Sequence, residues 1–241
     1  MSGHSKWATI RRAKGAADAK RGKIFSTLGK EIALAARSGG GNPEANARLR
    51  TILLKARDAN MPNDNVERAI KKGTGEIEGM VIEQMTYEGY APAGAGLIIE
   101  VTTDNKNRAA GEVRASFTRY GGNLAQTGAV SFQFVHCGQF LIGKGKVSED
   151  KLMEIALDAG ADDVRTSDEG FEVVCPVGVY YTLAGVLEKA GIKPDSSEIV
   201  YLPKVPLVLS EADAAKVQAL IDALEEHDDV QHVFSNHEVA G

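Results

Sequence analysis

The order of predicted strands and helices in the second half of the chain is the feature that most constrains its fold. Residues 138–203 carry strand-like and helix-like segments in the order β-α-β-β-α-β, which is one complete split βαβ unit of the ferredoxin-like kind. These predicted segments are a strand at Phe140–Ile142, a helix at Glu149–Ala159, strands at Asp163–Thr166 and Phe171–Val174, a helix at Val179–Ala190 and a strand at Glu198–Leu202. The segment therefore predicts a domain of its own.

The segments on either side of this unit have too few predicted elements to form a complete domain separately. The predicted elements are strands at Val81–Tyr87 and Leu97–Thr103, a helix at Lys106–Tyr120 and a strand at Val130–Val135, then a strand at Val205–Leu209, a helix at Glu211–Glu226 and a strand at Val230–Ser235. Three consecutive domains would leave the middle one with too few elements to bury both faces of its sheet. The sequence therefore predicts a middle α+β domain of residues 80–137 and 204–241, into which residues 138–203 are inserted.

The first 79 residues have helical periodicity instead. Apolar residues recur at three- and four-residue steps and predict helices from Ala16 to about Arg37, from Asn42-Pro43 onward, and from Asn63 to Lys72 with an end at Gly73. The predicted fold class is thus a multidomain α+β protein. It consists of an N-terminal three-helix basic domain, residues 1–79, and two ferredoxin-like α+β domains, one inserted in the other.

Charge is divided between these parts of the chain. Residues 1–73 contain 16 Lys and Arg against 6 Asp and Glu, a net charge of +10, whereas the remainder has 12 basic and 27 acidic residues, a net charge of −15. A basic unit of this size supplies an electric field suited to a polyanion, and in the cytosol that chiefly means nucleic acid. The sequence predicts a nucleic-acid partner for the N-terminal domain.

Composition limits the cellular setting. The longest apolar runs, such as residues 96–99, fall far short of the roughly 20 residues that a membrane helix requires, and no signal peptide opens the chain. Cys137 and Cys175 lie in apolar surroundings without C-x-x-C spacing, which favours buried reduced thiols over a disulfide framework. We expect a cytoplasmic protein with no membrane association, and a monomer.

The opening stretch MSGHSKWATIRRAKGAADAKRGK places the only tryptophan, Trp7, among seven basic residues and one acid. Lys and Arg bind phosphates and release counterions, and an aromatic ring stacks on a base, so this arm is predicted to bind nucleic acid. Two alternatives stay open, a solvated tail with Trp7 packed on the bundle and a transit peptide. The predicted nucleic-acid contacts of the arm and bundle are His4, Lys6, Trp7, Arg11, Arg12, Lys14, Lys20, Arg21, Lys23, Arg48, Arg50, Lys71 and Lys72.

Two further segments are candidates for contact with a phosphate or a partner. Asn105, Lys106, Asn107 and Arg108 start a predicted helix, where free backbone N–H groups favour an anion; the alternative is an ordinary capped helix start. Tyr87 and Tyr90 border the glycine-rich loop that ends at Gly96, where exposed aromatic rings would contact RNA or a protein. The alternative is a wide hairpin whose tyrosines pack at the sheet edge.

Catalytic, metal and cofactor sites are not predicted. The glycine pairs in Gly73-Thr74-Gly75 and Gly143-Lys144-Gly145 lack the strand-before, helix-after context of a nucleotide-binding loop. The histidines at positions 227, 232 and 237 cross a helix end and a strand, which brings no set of metal ligands together. We therefore expect no enzyme activity, no cofactor and no metal.

Several ordered motifs resemble a known family. They are Gly3-His4-Ser5-Lys6-Trp7, Lys20-Arg21-Gly22-Lys23-Ile24-Phe25, Gly39-Gly40-Gly41-Asn42-Pro43, Met61-Pro62, Tyr87-Glu88-Gly89-Tyr90-Ala91-Pro92, Thr103-Asp104-Asn105-Lys106-Asn107-Arg108 and Gly121-Gly122-Asn123-Leu124. Together they look like the YebC family of probable transcriptional regulators, whose mitochondrial relatives are translational activators of cytochrome oxidase. The resemblance covers essentially the whole chain. Ala93 and Ala125 depart from it, since relatives often carry glycine there.

The resemblance implies three domains, one of them inserted in another, and a cytoplasmic location. It also implies DNA binding and regulation of transcription, which are assigned to some members of the family. Other members are tied to the ribosome and help translation through difficult stretches such as proline runs. The implied partner is therefore nucleic acid, either DNA or ribosomal RNA and tRNA.

The residues themselves favour RNA over DNA as the partner. A helix-turn-helix protein reads DNA with the N-terminal residues of its second helix, whereas the basic residues of the segment Asn63–Lys72 stand at its end. A basic arm with one aromatic residue suits folded or single-stranded RNA. The predicted function is a nucleic-acid-binding regulator of gene expression, with a ribosome-associated translation factor as the alternative.

Overall fold

The computed structural model describes residues 21–78 and 81–240. The described helices, in chain order, are α1 Arg21–Gly39, α2 Ala47–Asp58, α3 Asn63–Thr74, α4 Lys106–Arg119, α5 Glu149–Asp158, α6 Tyr180–Lys189 and α7 Glu211–Glu225. The described strands are β1 Glu83–Tyr90, β2 Gly96–Thr103, β3 Asn123–Ala125, β4 Phe134–Gly143, β5 Asp163–Thr166, β6 Gly170–Pro176, β7 Ser196–Pro203, β8 Leu207–Leu209, β9 Val230–Ser235 and β10 His237–Val239. Residues 136–201 form one compact unit, and the described residues before and after them form another.

Helices α1, α2 and α3 form the predicted N-terminal three-helix region. Their apolar stripes meet in one core, which contains Leu28, Ile32, Ala35, Leu49, Ile52, Ala56, Met61 and Ala69. Burial of these side chains, at roughly 25 cal/mol per Å² of apolar surface, is what holds the three helices together. The periodicity of the sequence was sufficient to predict this arrangement.

The start of α2 differs from the prediction. The helix starts four residues after Pro43, and its cap is Asn46, whose Oδ1 accepts a hydrogen bond from the Leu49 N–H at 3.0 Å. The Asn46 Nδ2 group also donates to the carbonyl oxygens of Ala35 at 2.9 Å and Gly40 at 2.8 Å. Because the buried Asn46 side chain satisfies three backbone groups, the helix begins there and residues 43–45 remain a turn.

The end of α3 also differs from the prediction. The left-handed capping residue is Gly75, with φ +80°, and Gly73 lies inside the helix. A Cβ atom at position 73 would collide with the carbonyl oxygen of Ala33 on α1. Gly73 therefore allows two helix backbones to approach closely, rather than ending the helix.

The middle domain is built on a four-stranded antiparallel sheet in the order β3-β1-β2-β9. Helices α4 and α7 cover one face, where Leu97, Ile99 and Val101 of β2 pack against the helix residues Phe117 and Leu220. The short strands β8 and β10 pair in parallel as a separate two-stranded sheet. Residues from both sides of the inserted segment thus share one core.

The predicted strand Val130–Val135 is wrong in its first half. Residues Ser131–Gln133 form a turn of 3₁₀ helix, and β4 begins only at Phe134. The buried carboxylate of Glu88 accepts hydrogen bonds from backbone N–H groups in this segment, which diverts them from a strand ladder. The strands β3 and β10, each three residues long, were not predicted.

Residues 136–201 contain a β-α-β-β-α-β unit. Its sheet has the order β5-β6-β4-β7, so the first and third strands are central and the second and fourth are at the edges, as in ferredoxin-like folds. The main core of this unit lies between the sheet and the helices α5 and α6. It contains Phe140, Ile142, Leu152, Ala156, Phe171, Val173, Cys175, Tyr180, Leu183, Leu187 and Ile192.

The three hydrophobic cores together give a multidomain α+β fold, as predicted. The domain boundaries at residues 79, 137 and 203 stay a prediction. Across the described helices, none combines the length and apolar character needed to cross a membrane.

Candidate nucleic-acid interface

One group of basic residues in the bundle faces the middle domain. On α1, Lys23 donates to the carbonyl oxygen of His227 at 2.9 Å, and Arg37 donates to the carbonyl oxygen of Ile82 at 3.1 Å. Lys23 is half-buried. This predicted nucleic-acid residue therefore already helps to attach α1 to the middle domain.

Asp229 is the centre of the same contact. Its side chain is buried and accepts hydrogen bonds from Lys30 at 2.9 Å, from the Thr103 hydroxyl at 2.8 Å and from Arg108 at 2.6 Å. Burial raises the pKa of Asp229, but the hydrogen bonds from Arg108, Lys30 and Thr103 outweigh it and leave the pKa below its usual value. Asp229 is thus a fixed anion that joins the bundle to the start of α4.

Arg48 belongs to a second ionic cluster between the bundle and the sheet. His232 Nε2 lies 3.9 Å from Glu31 Oε1, and His232 is paired with Glu100 across strands β9 and β2. Burial raises the pKa of Glu31, but His232 and the charges of Lys55 and Arg48 bring it below its usual value. Burial, reinforced by Glu31, raises the pKa of Glu100. The half-buried Arg48 therefore balances carboxylates inside the protein.

Arg50 is also half-buried, and its guanidinium donates to the carbonyl oxygen of Pro43 at 3.3 Å. Lys71 and Lys72 differ from Arg48 and Arg50, because both are exposed on the last turn of α3. The four predicted residues of α2 and α3 therefore do not form one surface.

The exposed cations of the bundle include two residues that were not predicted as contacts, Arg57 and Arg68. Arg68 precedes Lys71 and Lys72 by three and four positions on α3, which places the three side chains next to each other on the helix surface. Within residues 21–78 and 81–240, no side-chain hydrogen bond or ion pair is formed by Arg57, Arg68, Lys71 or Lys72. We call these four residues the free basic set. The net charge of +10 was the sequence signal that could have found Arg57 and Arg68.

The predicted contacts of the arm lie outside the described residues. They are His4, Lys6, Trp7, Arg11, Arg12, Lys14 and Lys20. Arg21 is the first described residue of α1, and its side chain is likewise outside the description. The role of the arm in binding stays a prediction.

The start of α4 brings its four predicted residues together at the surface. Asn105 caps the helix by accepting from the Arg108 N–H at 3.1 Å, and Lys106 pairs with Glu83 at 2.9 Å. Arg108 also pairs with Asp104 at 3.0 Å, in addition to its bond with Asp229. Much of the positive charge here is therefore balanced inside the protein. Asn107 is exposed, and binding by this segment stays a prediction.

Tyr87 and Tyr90 are half-buried on β1. The Tyr90 hydroxyl donates to the carbonyl oxygen of Ala129 at 2.7 Å, and the Tyr87 hydroxyl lies 3.0 Å from the sulfur of Met85. Burial raises the pKa of Tyr87 above its usual value. Both hydroxyl groups thus have internal partners, and contact with an external partner stays a prediction.

The segment after β3 is held in place by Glu88. Its side chain is buried, and the carboxylate accepts hydrogen bonds from the backbone N–H groups of Gly128 at 2.8 Å, Val130 at 2.6 Å and Ser131 at 2.8 Å. Burial raises the pKa of Glu88, but these three bonds outweigh it and keep the pKa below its usual value. The next residue, Phe132, is 65% exposed. The sequence predicted Phe132 only as part of the strand Val130–Val135 and not as a site residue.

One arrangement has the residue types of a hydrolase triad. His227 Nε2 lies 2.8 Å from the Ser116 hydroxyl, and its Nδ1 lies 3.7 Å from a carboxylate oxygen of Glu112. Ser116 is buried within α4, and 3.7 Å is too long for a hydrogen bond. The three residues therefore do not form an accessible, activated nucleophile. Elsewhere in the described chain, no three His, Cys, Asp or Glu residues group together as metal ligands.

Comparison with known proteins gives matches over almost the full chain. The family model of the TACO1/YebC protein N-terminal domain matches residues 5–76, and the model of the TACO1/YebC second and third domain matches residues 82–237. A probable transcriptional regulatory protein of Opitutus terrae is 58% identical over 99% of this chain and 97% of the relative. One from Treponema pallidum is 52% identical over 99% and 98% of the two chains.

A solved structure supports the same relationship. The crystal structure of a conserved hypothetical protein from Aquifex aeolicus is similar to this chain with a TM-score of 0.83 and 45% sequence identity. The similarity covers 93% of each chain. It therefore extends to the helical region and to both four-stranded sheets.

Proposed function

The chain belongs to the TACO1/YebC family, and relatives such as the one from Opitutus terrae are named probable transcriptional regulatory proteins. We propose on this basis that it regulates gene expression by binding nucleic acid. The binding surface in this proposal is the free basic set, extended by the basic arm. The acidic remainder of the chain, with its net charge of −15, would turn away from the polyanion and orient the protein on it.

The observation that carries the proposal is the absence of internal partners for the free basic set within the described residues. Lys23, Lys30, Arg37 and Arg50 donate hydrogen bonds within the protein, and their charges are less available to a ligand. An exposed Lys or Arg that neutralises a phosphate releases condensed counterions, which favours binding at low salt. The proposal therefore makes binding strongly dependent on ionic strength.

The position of the charges favours RNA, or the nucleic-acid backbone in general, over reading of base pairs. Lys71 and Lys72 lie in the last turn of α3 and Arg68 lies about one turn before them, whereas the first turn carries Asp64. A recognition helix contacts bases with its N-terminal residues, where a carboxylate would face the phosphates unfavourably. This observation supports the second candidate function, a translation factor on ribosomal RNA or tRNA. The names of the relatives, probable transcriptional regulatory proteins, support a role in transcription.

Paired substitutions test the proposal. We expect Lys71→Gln with Lys72→Gln to weaken binding to duplex DNA or folded RNA and to reduce the slope of log affinity against log salt by about 1.8 for duplex DNA. The control has the same change in charge at two exposed helical lysines outside the bundle, Lys151→Gln with Lys189→Gln. Unchanged affinity and slope in the first variant, or equal losses in both, would refute the proposed surface.

A second measurement distinguishes the two partners. Cell extract is sedimented with RNase or with DNase treatment. Migration with ribosomal particles that RNase abolishes supports the RNA function, whereas enrichment at discrete chromosomal sites supports transcription. In either case we place the protein in the cytoplasm as a monomer, with domains of residues 1–79, of 80–137 with 204–241, and of 138–203.

A further inference from the structure

The segment that follows β3 is fixed from several directions by buried polar groups. Besides the three hydrogen bonds that Glu88 accepts, Tyr90 donates to the Ala129 carbonyl oxygen at 2.7 Å. Asn236, which is buried, donates to the side-chain oxygen of Gln133 at 2.7 Å. Its own side-chain oxygen accepts from the Gly96 N–H at 2.8 Å. Residues 128–133 are therefore a preorganised turn rather than a loosely held loop.

This turn exposes an aromatic ring. Phe132 is 65% exposed, and in the described part of the chain it is the only aromatic residue among the exposed large hydrophobic side chains. A phenylalanine normally packs into a core, and its neighbours in the turn are well ordered by hydrogen bonds. Because the backbone of the turn is already fixed, only the side-chain torsions of Phe132 become ordered when a flat partner stacks on its ring.

The surroundings of Phe132 suit a nucleotide. The chain returns beside this turn, since the Lys204 N–H donates to the Gln133 carbonyl oxygen at 2.8 Å. Lys204 is exposed, and Val205 next to it is 75% exposed. An aromatic face with an apolar edge stacks on a base, and an exposed lysine on the neighbouring backbone can donate to the phosphate that follows it.

We propose that Phe132 is a stacking platform for an unpaired base of single-stranded RNA, with Lys204 next to the adjoining phosphate. RNA presents such bases in its loops and ends, and proteins commonly stack them on aromatic side chains. This inference rests on the proposed nucleic-acid function. Besides the free basic set, it adds a contact on the middle domain that binds a base by stacking rather than a phosphate by charge.

The test uses the full chain and a 12-nucleotide single-stranded RNA with one 2-aminopurine. We expect the protein to quench 2-aminopurine fluorescence, and Phe132→Leu to abolish the quenching at the stacked position. Because one base stacked on an aromatic side chain is worth about 1–3 kcal/mol, Phe132→Leu should reduce affinity roughly 5- to 150-fold, while Phe132→Tyr stays within about twofold of the parent. Val208→Ala, at a residue with 62% exposure, is the matched control.

Salt dependence separates this inference from the proposed function. Phe132→Leu should lower the affinity at every salt concentration without changing the salt slope, whereas Lys71→Gln with Lys72→Gln should change the slope. If Phe132→Leu binds RNA like the parent while the slope still depends on Lys71 and Lys72, stacking is refuted and the basic surface stands. Stronger quenching with the DNA of the same sequence would refute the choice of RNA. If Phe132→Leu lost binding to a protein partner while its RNA binding stayed unchanged, base stacking would be refuted and Phe132 would be a protein contact.

Discussion

Replacement of Glu88 by glutamine should destabilise the middle domain. The carboxylate accepts three backbone N–H groups while buried, and each hydrogen bond to a charged group contributes about 1.5–3 kcal/mol. Glutamine keeps one acceptor oxygen, but its NH₂ group would face N–H donors that now have no acceptor. We expect Glu88→Gln to lower the free energy of unfolding by about 3 kcal/mol, which for a chain of this size is roughly 6–12 °C in melting temperature.

The effect should depend on pH with a definite sign. Because the pKa of Glu88 is lowered in the folded protein, its charge stabilises the fold above the unfolded-state pKa of about 4.3. That stabilisation is lost as the pH falls through the lower folded-state pKa. The difference in stability between the parent and Glu88→Gln should therefore be largest near neutral pH and shrink as the pH falls below about 4.3.

Urea denaturation followed by circular dichroism, at several pH values, measures both quantities. Glu238→Gln, at an exposed carboxylate, is the matched control and should change the stability by less than about 0.5 kcal/mol. A Glu88→Gln protein as stable as this control would refute the reasoning. So would a loss of stability that stays constant between neutral and acidic pH.

Two more substitutions test the attachment and packing of the bundle. Asp229→Asn leaves Lys30 and Arg108 without their shared anion and should cost about 3 kcal/mol in urea denaturation, whereas the fully exposed Asp168→Asn should cost almost nothing. Gly73→Ala forces a methyl group against the backbone of α1 and should lower stability by about 1–3 kcal/mol in thermal denaturation. Gly185→Ala, where a Cβ atom meets no neighbour, should instead raise it by up to about 1 kcal/mol, and equal effects at both glycines would contradict the packing argument.

The sequence was informative wherever the signal is local and periodic. The three helices of the bundle and the β-α-β-β-α-β order follow from spacings of two, three and four residues, which the structure confirms within a few residues at most ends. The predictions were wrong where a residue far away in the sequence determines the local structure. Gly73 and Gly75 look alike as helix ends, and only the backbone of α1 distinguishes them.

The same limit applies to the candidate interface. Arg48 and Lys71 are equally basic in the sequence, but Arg48 lies beside Glu31 and Glu100 whereas Lys71 is exposed. Lys30 meets Asp229 across 199 positions of sequence, which no local pattern can indicate. Phe132 looked like part of an ordinary strand, because the role of Glu88 becomes visible only when both are placed in space.

The pairing of β2 with β9 has a consequence for synthesis of the protein. Val101 pairs with Val230, which is synthesised 129 positions later, so the sheet of the middle domain cannot be completed until then. At about 5–20 residues per second this takes roughly 6–26 seconds, during which β2 has an open edge with the apolar residues Leu97, Ile98 and Ile99. The nascent chain therefore carries an aggregation-prone strand until residues 230–235 have been made, and a product truncated before them would keep it permanently.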